Sequence, residues 1–383
     1  MLASRSMPDQ VGTLIVGGGI VGCAIAYYLA REGAQDIVLV ERNALASGST
    51  GGSFGGVRQQ FSTPLEIEFS KRGLEFWRTC ERVFDSPCPF HQDGYLFVSG
   101  KSEIVEKLGQ AAELQQSLSL PDVYMLDSRQ IEETIPWLSG EGLVGGCWTP
   151  NDGHVTPTDG VAALSRAARR LGVRFEEEWE ARGFERRDGR WLVRGRNDIL
   201  AERVVIAAGY WTPALVRPFG LELTIRPMPL YAAITEPALE DQPVPLTIDL
   251  DTGLEVEREG HALLIGILLE ENPPGYDHTQ MLSEFHELAK VRAPSLADIK
   301  IARYTLANVD LGGDGHPYVG EVQDGLWMIA GFSGHGTMHG PVVARLRAEA
   351  MSGRPDPTLD ISSLDPWREA EQSSEWMVAT KKA

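Results

Sequence analysis

The chain has 383 residues, 43% of them hydrophobic, which exceeds what one core usually serves, so two structural domains are expected. A formal net charge of −19 argues against nucleic acid or an anionic membrane as partner, because either would repel so acidic a surface. Cys23, Cys80, Cys88 and Cys147 lack CxxC spacing, which speaks against a zinc site or a disulfide framework and for a reducing compartment.

Val11 to Ala30 carries no charge, a length that suits a membrane span or a signal sequence. Gly12, Gly17, Gly18, Gly19 and Gly22 inside it, and the strand-like run soon after, argue instead for a soluble, cytoplasmic protein. Within that stretch TLIV (13–16) is a β-branched run, GGGIVG a turn, and VGCAIAYYLAREG a helix ending at Gly33; DIVLVE then reads as a second strand closed by an acid. Gly17, Gly19 and Gly22 match GxGxxG. The first glycine permits the turn, the second lets backbone approach a pyrophosphate at the helix N-terminus, and the third permits close helix packing. Glu41, at the second strand's end, is placed to accept hydrogen bonds from an adenosine ribose. The motif alone is weak; strands and acid in sequence make it a dinucleotide site, against the alternative of a tight turn in a ligand-free α/β domain.

Residues 91–149 continue with the strand-like GYLFVSG and a polar helical stretch, SEIVEKLGQAAELQQSL. RVVIAAG (203–209) and LWMIAG (326–331) are apolar runs suited to parallel strands covered on both faces. Between them, prolines at 227, 229, 237, 243 and 245 and alternating runs such as GHALLIGILLE read as antiparallel strands. The expected fold is α/β, α+β overall. A Rossmann-like FAD-binding domain with a central parallel sheet would comprise 1–90, 150–222 and 307–383; a substrate domain with a mixed or antiparallel sheet would comprise 91–149 and 223–306. The polar tail after Pro366 is expected to lie over the surface. An acid after the second strand serves NAD or FAD alike, but glycine-bearing strand ends that return at 207–209 and 331–336 favour the longer FAD over a classical NAD dehydrogenase.

The segments LIVGGGIVGCAIAYYLAREG, ASGSTGGSFGGVRQQFS, DGYLFVSG, WTPNDGHVTPT, VVIAAGYWT, HPYVGEV and AGFSGHGTMHGPVVARL run in this order between residues 13 and 346. Together they resemble the flavoenzymes grouped with D-amino-acid oxidase, nearest to the β subunits of heterotetrameric sarcosine oxidase and dye-linked L-proline dehydrogenase, and to glycine oxidase. The resemblance implies oxidation of the C–N bond of an amino acid or N-substituted amino acid: a hydride passes to flavin N5, and the imine formed is hydrolysed. Oxygen, a quinone or a partner subunit would take the electrons. The alternative it carries is a flavin-bearing subunit or assembly factor within a hetero-oligomer.

Carried over residue by residue, the resemblance puts Gly17, Gly18, Gly19, Ile20, Val21 and Gly22 around the pyrophosphate and Glu41 and Arg42 at the adenosine. Ser49, Thr50, Gly51 and Gly52 would contact phosphate and ribityl, while Gly55, Gly56 and Val57 line the flavin. Ala181, Ala208, Gly209 and Trp211 would lie along the cofactor. Gly331, Phe332, Ser333, Gly334, His335, Gly336, Thr337 and Met338 would wrap the isoalloxazine, their amides donating to the pyrimidine carbonyl. His335 is expected to use its backbone rather than its ring.

Arg58 aligns with a carboxylate-binding arginine of monomeric sarcosine oxidases, and its planar fork suits that role; pairing with an internal acid or a flavin phosphate is the alternative. Met338 and His339 are the other candidates for the substrate side. Gln59 and Gln60 read as structural hydrogen-bonding groups, with a place in the site as the alternative, Tyr95 and Trp148 as core packing, with closure of the pocket as the alternative, and Asp152 and His154 as turn formers. No metal site is expected. Met338 replaces a lysine of the sarcosine oxidases, Ala302 their flavin-linking cysteine, and Phe54 the covalent histidine of some dehydrogenases, so FAD is expected to be non-covalent. Glu255 stands where relatives carry an aromatic and is expected to be an exposed strand residue, an altered substrate charge preference being the alternative.

Overall fold

The computed structural model describes residues 10–269, 273–369 and 375. TLIV lies within the strand Gln10–Val16, which turns at Gly17–Gly19 into the helix Ile20–Arg31 and returns as the strand Ile37–Val40. Gln10–Val16 pairs parallel with Ile37–Val40 on one side and with Ile199–Ile206 on the other. Leu326–Ala330 and Arg174–Glu176 extend the parallel set in the two directions. Tyr318–Gln323 closes one edge antiparallel, and the hairpin of Gly183–Arg187 and Arg190–Arg194 pairs off Ile199–Ile206.

Both faces of this sheet are covered, which is why its strands are apolar at successive positions. Ile15, Ile37 and Leu39 enter the core beneath the helices Ile20–Arg31, Pro64–Phe84, Pro157–Arg170 and Gly336–Met351. Leu14, Val16, Val38 and Val40 face a second core with Trp179, Trp191 and Val216.

The second sheet runs in the order Ile301–Leu311, Arg226–Thr235, Ala262–Ile267, Leu254–Glu259, Leu246–Asp249, Tyr95–Ser99, Gly145–Thr149, Tyr124–Asp127. Its neighbours are antiparallel except for Tyr95–Ser99 with Leu246–Asp249, so the sheet is mixed. Strand alternation divides its faces: Leu96, Val98, Val256 and Ile265 pack in the core under the helix His278–Arg292, whereas Tyr95, Phe97, Leu246 and Ile248 point toward the first sheet's side. The α/β organisation expected from the sequence is present. Ile301–Leu311 belongs to the second sheet and runs past residue 306, where the sequence reading set a boundary.

The tail departs from expectation at one residue. Glu375 is buried, and its carboxylate accepts from the backbone N–H groups of Ser62 (2.9 Å) and Thr63 (3.1 Å) and from the Ser62 hydroxyl (2.7 Å). The rest of the tail beyond Glu369 lies outside the described residues. Among the described residues no helix is long and apolar enough to cross a membrane.

Candidate active site

Gly17 has a φ of +117°, and a Cβ on it would overlap the Ala207 carbonyl; a Cβ on Gly22 would overlap the carbonyl of Gly17 itself. The turn therefore demands glycine at both positions. Gly19 precedes the helix without a side-chain cap, and the first turn holds no acid, so the positive end of the helix is left open to an anion. Thr50 fixes the entry: its Oγ1 accepts from the N–H of Ile20 at 3.1 Å. The Glu41 carboxylate accepts from the N–H groups of Gly18 (2.7 Å) and Asn43 (2.9 Å), which holds the second strand's end against the turn. Beside it the Arg42 guanidinium lies 3.8 Å over the Trp211 ring.

A cavity of about 480 Å³ begins here and runs between the two sheets. Its far end is formed by the terminal glycine loop, where Gly331, Ser333 and Gly334 have φ of 81°, 53° and 89°. Asp310 ties this loop down. Its carboxylate accepts from the N–H groups of Gly331 (3.0 Å) and Phe332 (3.2 Å), and its carbonyl accepts from Ser333 N–H at 3.0 Å. Burial pushes the Asp310 carboxyl up to about 6, against the lowering effect of those amides. The loop feeds the helix Gly336–Met351, again with no side-chain cap and no acid in its first turn. Trp77 Nε1 donates to the Thr337 carbonyl at 3.1 Å and holds that end in place. A glycine cradle with two open helix N-termini in the wall of one elongated cavity fits a long dinucleotide with a planar ring.

Of the residues expected at the cofactor, most line this cavity, from Gly17–Val21, Glu41, Arg42, Ser49 and Thr50, through Gly55, Gly56, Ala181, Ala208, Gly209 and Trp211, to Phe332 and Gly334–Met338. Gly22, Gly51, Gly52, Val57, Gly331 and Ser333 are not in the wall. Gly51 and Gly52 instead give close approach to Ala46 and Ala307, where a Cβ would overlap.

Arg58 and Met338 are in the wall at the loop end. Arg58 is 3% exposed; its guanidinium stacks 3.9 Å from the Phe61 ring, and Nη1 donates to the Gln60 carbonyl. Its Nη2 lies 3.2 Å from His335 Nε2, so the ring of His335 is in use, contrary to the expectation that only its backbone would be. Burial, then the Arg58 charge, holds His335 well below the usual histidine range, and a neutral ring that accepts from Arg58 fits that setting.

His339 does not face the cavity, which corrects the sequence reading. It is 1% exposed, with Nδ1 2.8 Å from Glu66 Oε2 and Nε2 2.7 Å from Ser70 Oγ. Its helical position, one residue past Met338, turns it toward the helix Pro64–Phe84 instead. Glu66 also meets His316 Nδ1 at 2.7 Å. Burial works to raise the Glu66 carboxyl, but His339 and His316 together hold it below the usual carboxylate range. Glu66, His335 and His339 have ligand atoms within 4.8 Å of one another, yet these atoms are engaged with Ser70, His316 and Arg58.

Three further readings are revised or filled in. Tyr95 is buried as core packing requires and also lines the cavity, whereas Trp148 does not line it. Gln59 and Gln60 are structural: the first binds Asp152 through its N–H (2.9 Å) and its Nε2 (3.0 Å), the second binds Thr149 Oγ1 (2.6 Å). Glu255 is not exposed. It is 5% accessible and stands in the cavity wall, and the sequence hid this because the alternation in LEVERE does not say which face of its strand is covered. Asp310 was missed too; an acid just before the LGGDG run was its one signal.

Fold and cavity together define an α/β protein built to hold a dinucleotide beside a second, substrate-facing sheet. Residues 13–350 match the family described as FAD dependent oxidoreductase (DAO), and the chain belongs to that family; FAD is its cofactor. It is 28% identical to 4-methylaminobutanoate oxidase (formaldehyde-forming) of Paenarthrobacter nicotinovorans, over 94% of this chain and 46% of that protein. The chain thus spans less than half the length of that relative. Glycine oxidase of Bacillus licheniformis is 25% identical over 94% of this chain and 97% of its own length. The crystal structure of L-proline dehydrogenase from P. horikoshii superposes with a TM-score of 0.87 at 26% identity, covering 94% of this chain and 98% of that one.

Proposed function

We propose that this protein oxidises the C–N bond of an amino acid or of an N-substituted, secondary-amine amino acid. Bound FAD supplies the hydride acceptor; the substrate carbon loses a hydride, and the imine that results is hydrolysed by water. The observation that carries the reading is a buried arginine, Arg58, in the cavity wall beside the loop-end helix N-terminus. Its guanidinium would receive the substrate carboxylate, while Phe61 and His335 hold it in one orientation. Tyr95, Phe97, Leu246 and Ile248 give the cavity an apolar floor that keeps water from the reacting carbon. The relatives, which include a methylaminobutanoate oxidase, a glycine oxidase and a proline dehydrogenase, support an amine with a carboxylate as substrate class.

The same reading has Gly17–Val21, Glu41, Arg42 and Trp211 at the dinucleotide end and Gly334–Met338 at the ring end. FAD would be held non-covalently, since none of the four buried cysteines lines the cavity and Phe54 does. Denaturing the protein in acid would then release the flavin into the supernatant. A second reading is a flavin-bearing subunit or assembly factor of a larger complex, in which the same cavity would hold FAD. Catalysis is tested by incubating the purified protein with N-methyl and cyclic amino acids plus a redox dye, or in air, and trapping carbonyl products with a hydrazine. Product from such amines supports the first reading. Activity that appears only with co-purified partner chains supports the second.

A further inference from the structure

Glu255 and Glu257 lie two residues apart on Leu254–Glu259, so both point to the cavity side of the second sheet. Glu255 is opposite Ile248 on one neighbouring strand and Gly266 on the other, and Ile248 is opposite Phe97. Phe97, Ile248 and Glu255 therefore form one row across the cavity floor, and Arg58 stands over its Phe97 end, 5.2 Å from that ring. Glu255 Oε2 and both carboxyl oxygens of Glu257 are buried with no hydrogen-bond partner.

Two buried carboxyls in an otherwise apolar floor are costly to the fold, whether ionised or protonated. Burial opposes charge on Glu255 and Arg58 favours it; a charge on Glu255 would in turn oppose ionisation of Tyr95 and of Glu257, and the charges around Glu257 are all carboxyls, from Glu255, Glu259 and Asp93. A positive charge brought into the cavity would complete this arrangement. Resting on the function proposed above, we propose that Glu255 receives the ammonium group of the substrate and takes one of its protons, leaving a neutral amine. An N–H bond breaks, its electron pair stays on nitrogen, and an O–H bond forms on Glu255; no electron changes hands. Burial pushes Glu255 of the empty cavity up to about 8, so at pH 7 its own proton leaves to solvent as the ammonium arrives, and the carboxylate so formed accepts the amine's proton. With Arg58 over the other end of the row, the cavity matches an amino-acid zwitterion.

The test uses the FAD-loaded full chain, wild type and Glu255→Gln, under anaerobic conditions from pH 6 to 10. The probes are L-proline against cyclopentanecarboxylate and N-methylglycine against butanoate, each pair differing by carbon in place of nitrogen. Binding is read from the perturbed flavin absorbance, and reduction from its bleaching. Wild type should bind at least one amine about tenfold or more tightly than its nitrogen-free partner at pH 7. In Glu255→Gln that preference should collapse toward one while the nitrogen-free acid binds unchanged. Where the amine bleaches the flavin, the variant's rate should fall about tenfold at pH 7 and recover as pH nears the amine's own pKa. No amine preference in wild type, or the same preference and pH profile in the variant, overturns the inference. Preference without bleaching would leave it standing and overturn the proposed function; bleaching unaffected by the variant would do the reverse.

Discussion

Arg58 is held by its neighbours before any substrate arrives: Phe61 beneath its plane, the Gln60 carbonyl at Nη1 and His335 at Nη2. A lysine in its place would keep one positive charge but lose the planar fork and the stacking. Arg58→Lys should therefore raise KM for a carboxylate-bearing amine by about tenfold or more, with the flavin content unchanged, as steady-state kinetics would show. Glu255 makes a different prediction. Burial pushes the Glu255 carboxyl up to about 8 from its ordinary value of 4.5, so the folded chain holds a proton that the unfolded chain releases between those values. Stability from this group is full at low pH and is lost as pH rises to about 8. The Tm of the substrate-free holoenzyme should fall between pH 6.5 and 8.5 by roughly a few degrees, and Glu255→Gln should flatten that slope and be the more stable at the alkaline end. Arg58 was legible in the sequence from the GGVRQQFS segment. Glu255 was not, because two-residue alternation names a face without naming what covers it, and Glu257 repeats the same acid on the same face.

Two helices, Ile20–Arg31 and Gly336–Met351, begin with uncapped N-termini in the wall of one cavity and meet where Gly340 lies against Ile20 and Val21. Both were foreseeable from glycine runs ahead of apolar helical spacing. What the runs could not disclose is how each loop is held: Glu41 ties Gly18, and Asp310 ties Gly331 and Phe332, through side chains 21 to 23 residues distant in the chain. The position of His339 was misjudged for a related reason. One step along a helix rotates a side chain by about 100°, enough to carry it from the cavity to Glu66 and Ser70. Gly22 marks where the first helix meets its own turn, and the Cβ of Gly22→Ala would overlap the Gly17 carbonyl. That variant should purify with a small fraction of the wild-type flavin, measured as the ratio of absorbance near 450 nm to that at 280 nm, and the turn's displacement should cost at least about 1 kcal/mol.

At the scale of the whole molecule, the parallel sheet was readable because buried strands such as RVVIAAG and LWMIAG are apolar at nearly every position. The second sheet was readable from its alternation, but the passage of Ile301–Leu311 beyond residue 306 was not, since nothing in ANVDL breaks the strand pattern. The distant Glu375 is a contact of the same kind: no local signal announces that its carboxylate meets Ser62 and Thr63 at the start of the helix Pro64–Phe84. Glu375→Ala leaves those buried donors without that acceptor and should destabilise the protein by about 1–3 kcal/mol in urea titration. The central claim, that one FAD lies along this cavity and is reduced by an amine with a carboxylate, is tested most directly by mixing the purified protein anaerobically with a panel of N-methyl, cyclic and primary amino acids. The account predicts a yellow protein whose flavin absorbance is bleached by at least one of them; a protein that carries flavin and stays oxidised with every amine would contradict it.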